Sequence, residues 1–299
     1  MKFKSTKDST LLEIIKDKLG FSSNSKARNH IKSGMVKVDG QVVKIPSFAL
    51  KTNQLIEVGS KSDKKRIDKA PASNFQPVFE DDYFIAFIKP PGLLSVSTQQ
   101  KNSKEKNFYD LVLKQFRYNY GVKEILLPIN RVDRKYSGIM LFAKSGTAEI
   151  EVRKTWEDNT KRYYALVEGI PDNEKGSIES HLKQNRIGRV YSAPKSEYGK
   201  LCSLNYRVMY KDDKYSLLKI GVISERKNSI RAQLSEHKWP IAGDKDYKGT
   251  PSPIKRFGLH LFSLSFYHPF EKKSVEIKTP VPHPFKQFFK RKIYQPSQT

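Results

Sequence analysis

The sequence holds a single cysteine, Cys202. One thiol cannot build a disulfide framework, and it cannot supply a cysteine-ligated structural zinc site. Long apolar runs are also missing. No stretch approaches the roughly 20 consecutive apolar residues of a membrane-spanning helix. Met1, Lys2 and Lys4 are not followed by the apolar segment of a secretory signal, so a cytoplasmic location is expected. Neither G-x-G-x-x-G nor G-x-x-x-x-G-K-[ST] occurs, so no glycine-rich cradle for nucleotide phosphates is signalled. H-E-x-x-H is absent. The six histidines are scattered, and His260 and His268, set in an aromatic stretch, are read as packing or hydrogen-bonding residues rather than metal ligands. No metal site and no cofactor is expected.

Acidic residues are scarce as well. The 299 residues carry 56 Lys and Arg against 31 Asp and Glu, a formal charge of +25. Such an excess repels itself in a compact state and persists most readily where a polyanion neutralises it. Nucleic acid is the expected partner. An anionic membrane surface is a weaker reading, because no lysine-rich amphipathic helix stands out before the C-terminal segment. What is abundant is aromatic: 17 Phe and 15 Tyr supply material for a sizeable core.

Residues 1–60 read as a small module. Leu11, Leu12, Ile14, Ile15 and Leu19 recur at helical spacing, with Asp8 or Ser9 as cap and Gly20 as stop. A second helix is predicted over Ser25–Ser33, carrying Lys26, Arg28, His30 and Lys32. Residues 35–43 alternate around Asp39-Gly40, which predicts a hairpin that includes Lys37, and Leu55–Val58 predicts a closing strand. The charged stretch 61–74, with Pro71, reads as a linker. Residues 75–299 form the large part. Strands are predicted around Val78-Phe79 and over 83–88, 138–143, 163–167 and 216–223, with helices over 108–118, 147–157 and 229–237. Strands outnumber helices, so a mixed α+β fold with a mainly antiparallel sheet is expected. The segment 284–294, alternating Phe with Lys and Arg, reads as a final helix that packs its Phe residues and solvates its cations.

The segment Asn130-Arg131-Val132-Asp133-Arg134 sets one carboxylate between two arginines, directly before the apolar run Ile139–Ala143. Flanking cations favour the ionised carboxylate, and a following strand gives it a rigid base.

Two resemblances attach to these residues. Ser25-Lys26-Ala27-Arg28-Asn29-His30-Ile31-Lys32-Ser33-Gly34 with Met35–Gly40 resembles the S-four-type RNA-binding domain. This implies that Lys26, Arg28, Lys32 and Lys37 face RNA. The larger part resembles the RluA-type pseudouridine synthases in several segments that keep the family's order. They are Glu80–Asp82 through Lys89-Pro90-Pro91-Gly92, Arg131-Val132-Asp133 with Ser137-Gly138, Lys161–Gly169, and Ile230–Leu234 followed by Trp239–Asp244 and Tyr247. A tail at Leu259-His260 and Phe266–Pro269 also fits.

The resemblance implies a reaction that isomerises uridine in ribosomal or transfer RNA, ribosomal RNA first; a monomer is expected. It implies that Asp133 is the catalytic aspartate and that Tyr163 packs against the target base. Arg231 would pair with Asp133, and Arg131 would enter the space the base vacates. Ile230, Lys89 and Arg226 would bind substrate. Asp133 could attack the anomeric carbon or remove the sugar 2′ proton. The chain departs from the family at Asn130, Val132, Tyr136, Glu225-Arg226 and Asn228-Ser229. A second reading, a non-catalytic RNA-binding or ribosome-assembly factor on the same fold, leaves the flanked carboxylate without a use.

Overall fold

A computed structural model describes residues 1–21, 23–32, 34–59, 74–97, 105–120, 124–186, 188–193 and 199–293. The linker expected over 61–74 lies, apart from Asn74, outside these residues. The chain divides into two compact units. One holds Met1–Asn74 with Leu111–Ile125, and the other holds Phe75–Asp110 with Leu126–Thr299.

In the first unit, β1 (Lys2–Lys4) and β2 (Ser9–Thr10) precede α1 (Leu11–Lys18) and α2 (Asn24–Lys32), followed by β3 (Val36–Val38), β4 (Gln41–Val42), β5 (Ala49–Leu50) and β6 (Leu55–Val58). The cap of α1 is Thr10, not Asp8 or Ser9. Thr10 accepts from the Glu13 N–H while the Glu13 carboxylate accepts from the Thr10 N–H, a reciprocal box one or two residues beyond the expected cap. Asp8 instead accepts from Thr52. Asp39 and Gly40 both adopt positive φ, 48° and 82°, as a two-residue hairpin turn demands. Leu11, Ile15, Ile31, Val36, Val38 and Ile56 pack in one core. Because α2 turns Ala27 and Ile31 inward, Lys26, Arg28 and Lys32 are left exposed. Lys37 is half-buried and pairs with Glu124 at 3.0 Å, so it is less open to a ligand than the three helix cations.

α3 (Phe108–Tyr120) starts in the second unit and continues into the first from Leu111. The second unit is organised by an eleven-stranded sheet among the described residues. Its elements are β7 (Pro77–Glu80), β8 (Phe84–Lys89), β9 (Leu127–Pro128), β10 (Ser137–Ala143), α4 (Gly146–Lys154), β11 (Thr160–Glu168), β12 (Lys175–Gln184), β13 (Val190–Ser192), β14 (Lys200–Lys211), β15 (Tyr215–Ser224), α5 (Ser229–Glu236), β16 (Leu259–His268), β17 (Lys273–Lys278) and α6 (His283–Ile293). The main path runs β13-β12-β14-β15-β11-β16-β10-β8-β7, with β17 on β16 and β9 on β10. Every pairing is antiparallel except β10 with β16. The expected mixed, mainly antiparallel α+β fold is therefore present.

All seven residues of β10 are buried, which is why this strand reads as an unbroken apolar run rather than an alternation. Gly138 lies opposite Leu261 in the parallel pairing, and a Cβ there would stand 2.5 Å from the Leu261 Cβ. Only glycine allows β10 and β16 to approach so closely. Ala148 and Val152 of α4 cover Ile139 and Leu141. Phe285 and Phe289 of α6, four residues apart, pack with Leu166 and Leu217, while Lys286 and Lys290 stay exposed.

Candidate active site

The site is built on the loop that leads into β10. Asn130 is buried and clamps this loop to the strand: its amide donates to the Ile139 carbonyl at 2.9 Å and accepts from the Leu141 N–H at 2.8 Å. The Val132 N–H donates to Ser95 Oγ at 3.0 Å, and the Gly92 N–H donates to the Arg134 carbonyl at 2.7 Å. The Lys89-Pro90-Pro91-Gly92 turn and the Asp133 loop thus hold each other. Two elements distant in sequence fix one carboxylate, the rigidity that a positioned reacting group needs.

Asp133 is half-buried, and its Oδ1 accepts from the Lys135 N–H at 2.9 Å. The arginines on either side do not ion-pair with it. Arg131 is exposed and makes no hydrogen bond or ion pair among the described residues. Arg134 turns to Glu105 at 2.7 Å. Charge reaches Asp133 from Lys89, which is 0% exposed. Lys89 was expected to bind substrate. Its Nζ donates instead to the Pro90 and Leu93 carbonyls, at 2.7 and 2.9 Å, and so forms the turn from within. Burial lowers its pKa to about 8, while Asp133 pulls it upward and Arg256 pushes it down.

Arg231 departs from expectation more sharply. Its guanidinium does not pair with Asp133. Held on α5 and 4% exposed, it grips fully buried Asp244 bidentately, at 2.6 and 2.5 Å, and reaches Asp246 at 2.9 Å. Its charge also lies over the Tyr247 ring, 4.6 Å from the centroid. Burial opposes the charged form, but Asp244 and then Asp246 outweigh it and raise the guanidinium pKa. Asp246 also takes an ion pair from Lys135, which together with Arg231 lowers its own pKa. A continuous chain therefore runs from the Asp133 loop through Lys135 and Asp246 to Arg231 and Asp244.

Tyr163 lies on β11 beside a bulge in its pairing with β16 and is 4% exposed. Burial, then Tyr136 and Glu225, raise its pKa, so it is a neutral phenol at any physiological pH. Its ring meets Tyr136 edge-on, with centroids 6.3 Å apart. Tyr136 was marked in the sequence only as a departure, yet it joins the site. It shares a hydrogen bond with the Asp133 backbone, feels the charges of Asp133, Glu225 and Arg231, and packs on Phe257 at 6.3 Å. Burial and the nearby carboxylates push its phenol pKa upward. Asp133, Tyr163 and Arg231 thus converge on one tyrosine rather than on each other.

The remaining expected residues are dispersed. Ile230 is buried on α5 beside Arg231, and Arg226 donates to the Leu182 carbonyl at 2.6 Å, which ties the loop before α5 to β12. Sequence reasoning missed Lys135, Asp246 and Ser95. They are polar loop residues whose partners lie 37 to 111 positions away, with no local signal. What the arrangement offers chemically is a carboxylate on a rigid loop, next to aromatic faces and a basic surround.

Residues 83–236 match the RNA pseudouridylate synthase family, and residues 11–56 match the S4 domain. The chain is 30% identical over 210 residues to a dual-specificity RNA pseudouridine synthase RluA of Pasteurella multocida, a match covering 68% of this chain and 91% of that protein. It is 24% identical over 297 residues to the ribosomal large subunit pseudouridine synthase D of the same organism, covering 93% and 88%. The fold is similar to that of human RNA pseudouridylate synthase domain containing 1, with a TM-score of 0.57 at 20% identity over 77% of this chain and all of that one.

Proposed function

The chain belongs to the RNA pseudouridylate synthase family, and from that premise we propose how and on what it acts. It is an RNA isomerase that converts uridine to pseudouridine. The bond from the ribose anomeric carbon to the uracil nitrogen breaks, the base turns, and a carbon of the ring bonds to the sugar as its proton leaves. Nothing is oxidised and no phosphoryl group moves, so the chemistry requires neither a redox cofactor nor a metal.

Asp133 is the group that acts on the sugar, either at the anomeric carbon or at the 2′ proton. The observation that supports this is its half-buried carboxylate, presented by a loop locked from both sides and backed by the charge of Lys89. A uridine must leave its stack to reach that carboxylate, at a cost of a few kcal/mol. An aromatic face of the Tyr163–Tyr136 pair offsets part of this by stacking, worth about 1–3 kcal/mol. Arg131, exposed and unpaired among the described residues, is the cation free to fill the vacated stack. Arg231 is a positioning residue acting through Asp246 and Lys135. Ile230 lines the pocket wall.

The substrate is structured RNA, ribosomal RNA ahead of transfer RNA. The relative matched over nearly the whole chain carries a ribosomal large subunit name, and Lys26, Arg28 and Lys32 give the first unit an exposed basic helix face. Residues 1–60 are the RNA-binding domain, 61–74 a linker and 75–299 the catalytic domain of a cytoplasmic monomer. No helix among the described residues is long and apolar enough to cross a membrane.

The test is pseudouridine-specific chemical mapping of ribosomal and transfer RNA incubated with the protein. Asp133→Asn is expected to lower turnover by at least about a thousandfold and to leave RNA affinity within about twofold. Undiminished turnover in that variant refutes the assignment.

A further inference from the structure

A cavity of about 560 Å³ opens in the second unit, and none of Asp133, Tyr136, Tyr163 and Arg231 lines it. Its walls are largely apolar, from Ile88, Pro90, Pro91, Val281 and Pro282. Its polar lining is Ser137, Arg256, His260, His283 and Lys286, without a carboxylate.

Arg256 is the unusual member. One terminal nitrogen donates to Ser137 Oγ, and its face covers the Phe285 ring at 5.3 Å. Its Nε–H is buried with no acceptor, and no carboxylate lies within ion-pair range of it among the described residues. A partly enclosed guanidinium with an orphaned donor and no counter-charge is costly to fold. The neighbours do not relieve it. His260 is engaged by Ser137 at 2.7 Å and Thr279 at 3.2 Å, and burial, followed by Arg256, lowers its pKa to about 3, so it stays neutral. Lys89, whose charge also feels Arg256, spends its donors on two carbonyls. Lys286 adds an exposed charge at the rim.

We propose that this cavity is an oxyanion site that takes a phosphate group on Arg256 and Lys286, with Pro90, Pro91 and Val281 as an apolar wall for whatever the phosphate carries. The phosphate comes from the RNA backbone or from a free phosphate compound. The RNA source rests on the function proposed above, whereas the anion site itself does not. Through Arg256 and Ser137 the occupied cavity touches the first residue of β10, four positions after Asp133.

The experiment uses the full chain with inorganic phosphate, followed by calorimetry, and a short single-stranded oligoribonucleotide, followed by fluorescence anisotropy at fixed salt. Arg256→Gln is expected to weaken phosphate binding by about tenfold or more, and Lys286→Gln by about threefold. If the backbone supplies the phosphate, both variants also weaken oligoribonucleotide binding. If a free compound does, oligoribonucleotide affinity stays at the wild-type value. Either result supports the site and identifies the source. Wild-type binding of both probes by both variants overturns it, and should Arg256→Gln fail to fold, Lys286→Gln alone decides. Asp133→Asn is expected to bind phosphate as the wild type does, which keeps failure of this site distinct from failure of the assigned reaction.

Discussion

Replacing Arg231 with methionine tests the buried chain that supports the site. Methionine keeps much of the volume and removes the charge and every hydrogen bond. Asp244, 0% exposed, is then left without its bidentate partner, and Asp246 loses one of its two cations. Breaking a buried pair by removing one partner costs about 3–5 kcal/mol, because the surviving charge must be desolvated alone. The stacking over Tyr247 adds about 0.5–1 kcal/mol at least. For a unit of this size, the loss corresponds to a fall in Tm of roughly 10 °C. Denaturant unfolding is the better measurement, since an unchanged slope attributes the lower midpoint to stability alone.

A double variant, Arg231→Met with Asp244→Leu, is expected to recover much of the loss, because no charge is then stranded. It should remain inactive, because Arg231 no longer anchors Asp246, and through it Lys135 and the Asp133 loop, to α5. A wild-type midpoint for Arg231→Met refutes the reasoning. So does restored turnover in the double variant.

Three other outcomes are expected. Gly138→Ala drives a Cβ to 2.5 Å from the Leu261 Cβ and 3.0 Å from the Leu261 backbone, and should cost about 1–3 kcal/mol in thermal unfolding. Lys89 holds its proton less tightly when folded, near pH 8 against an ordinary 10.5, so between those values the unfolded chain carries the extra proton and the contribution to stability rises with pH. The difference in unfolding free energy between wild type and Lys89→Met should therefore change across pH 8–10.5 and stay constant below about pH 7. RNA affinity should fall steeply with salt, and neutralising Lys26, Arg28 and Lys32 together should reduce the log–log slope by roughly 2. A slope identical to wild type would remove the basic face of α2 from the RNA interface.

Much of the fold was legible because the relevant signals are local. The run Ile139–Ala143 announced a buried strand, Asp39-Gly40 a hairpin turn, and the spacing of Leu11 and Ile15 a helix. The strands β12 to β14 were not read, because alternation there is diluted by charged and polar residues on the open face, as in the burial pattern of Lys175–Gln184. The Thr10 cap was misplaced because Asp8, Ser9 and Thr10 all have capping chemistry, and the choice fell to Asp8 being drawn to Thr52.

For the site, the sequence by itself determined which residue types are available and that Asp133 stands at the mouth of a rigid strand. Composition, order and periodicity carry that much. Only the tertiary structure decided who partners whom. Arg231 met Asp244 and Asp246 rather than Asp133, Lys89 went inside its own turn, and Tyr136 became the shared neighbour of the site. Ion pairs and ring contacts act over a few ångströms between residues far apart along the chain, so their pattern comes into being only when the strands are laid side by side.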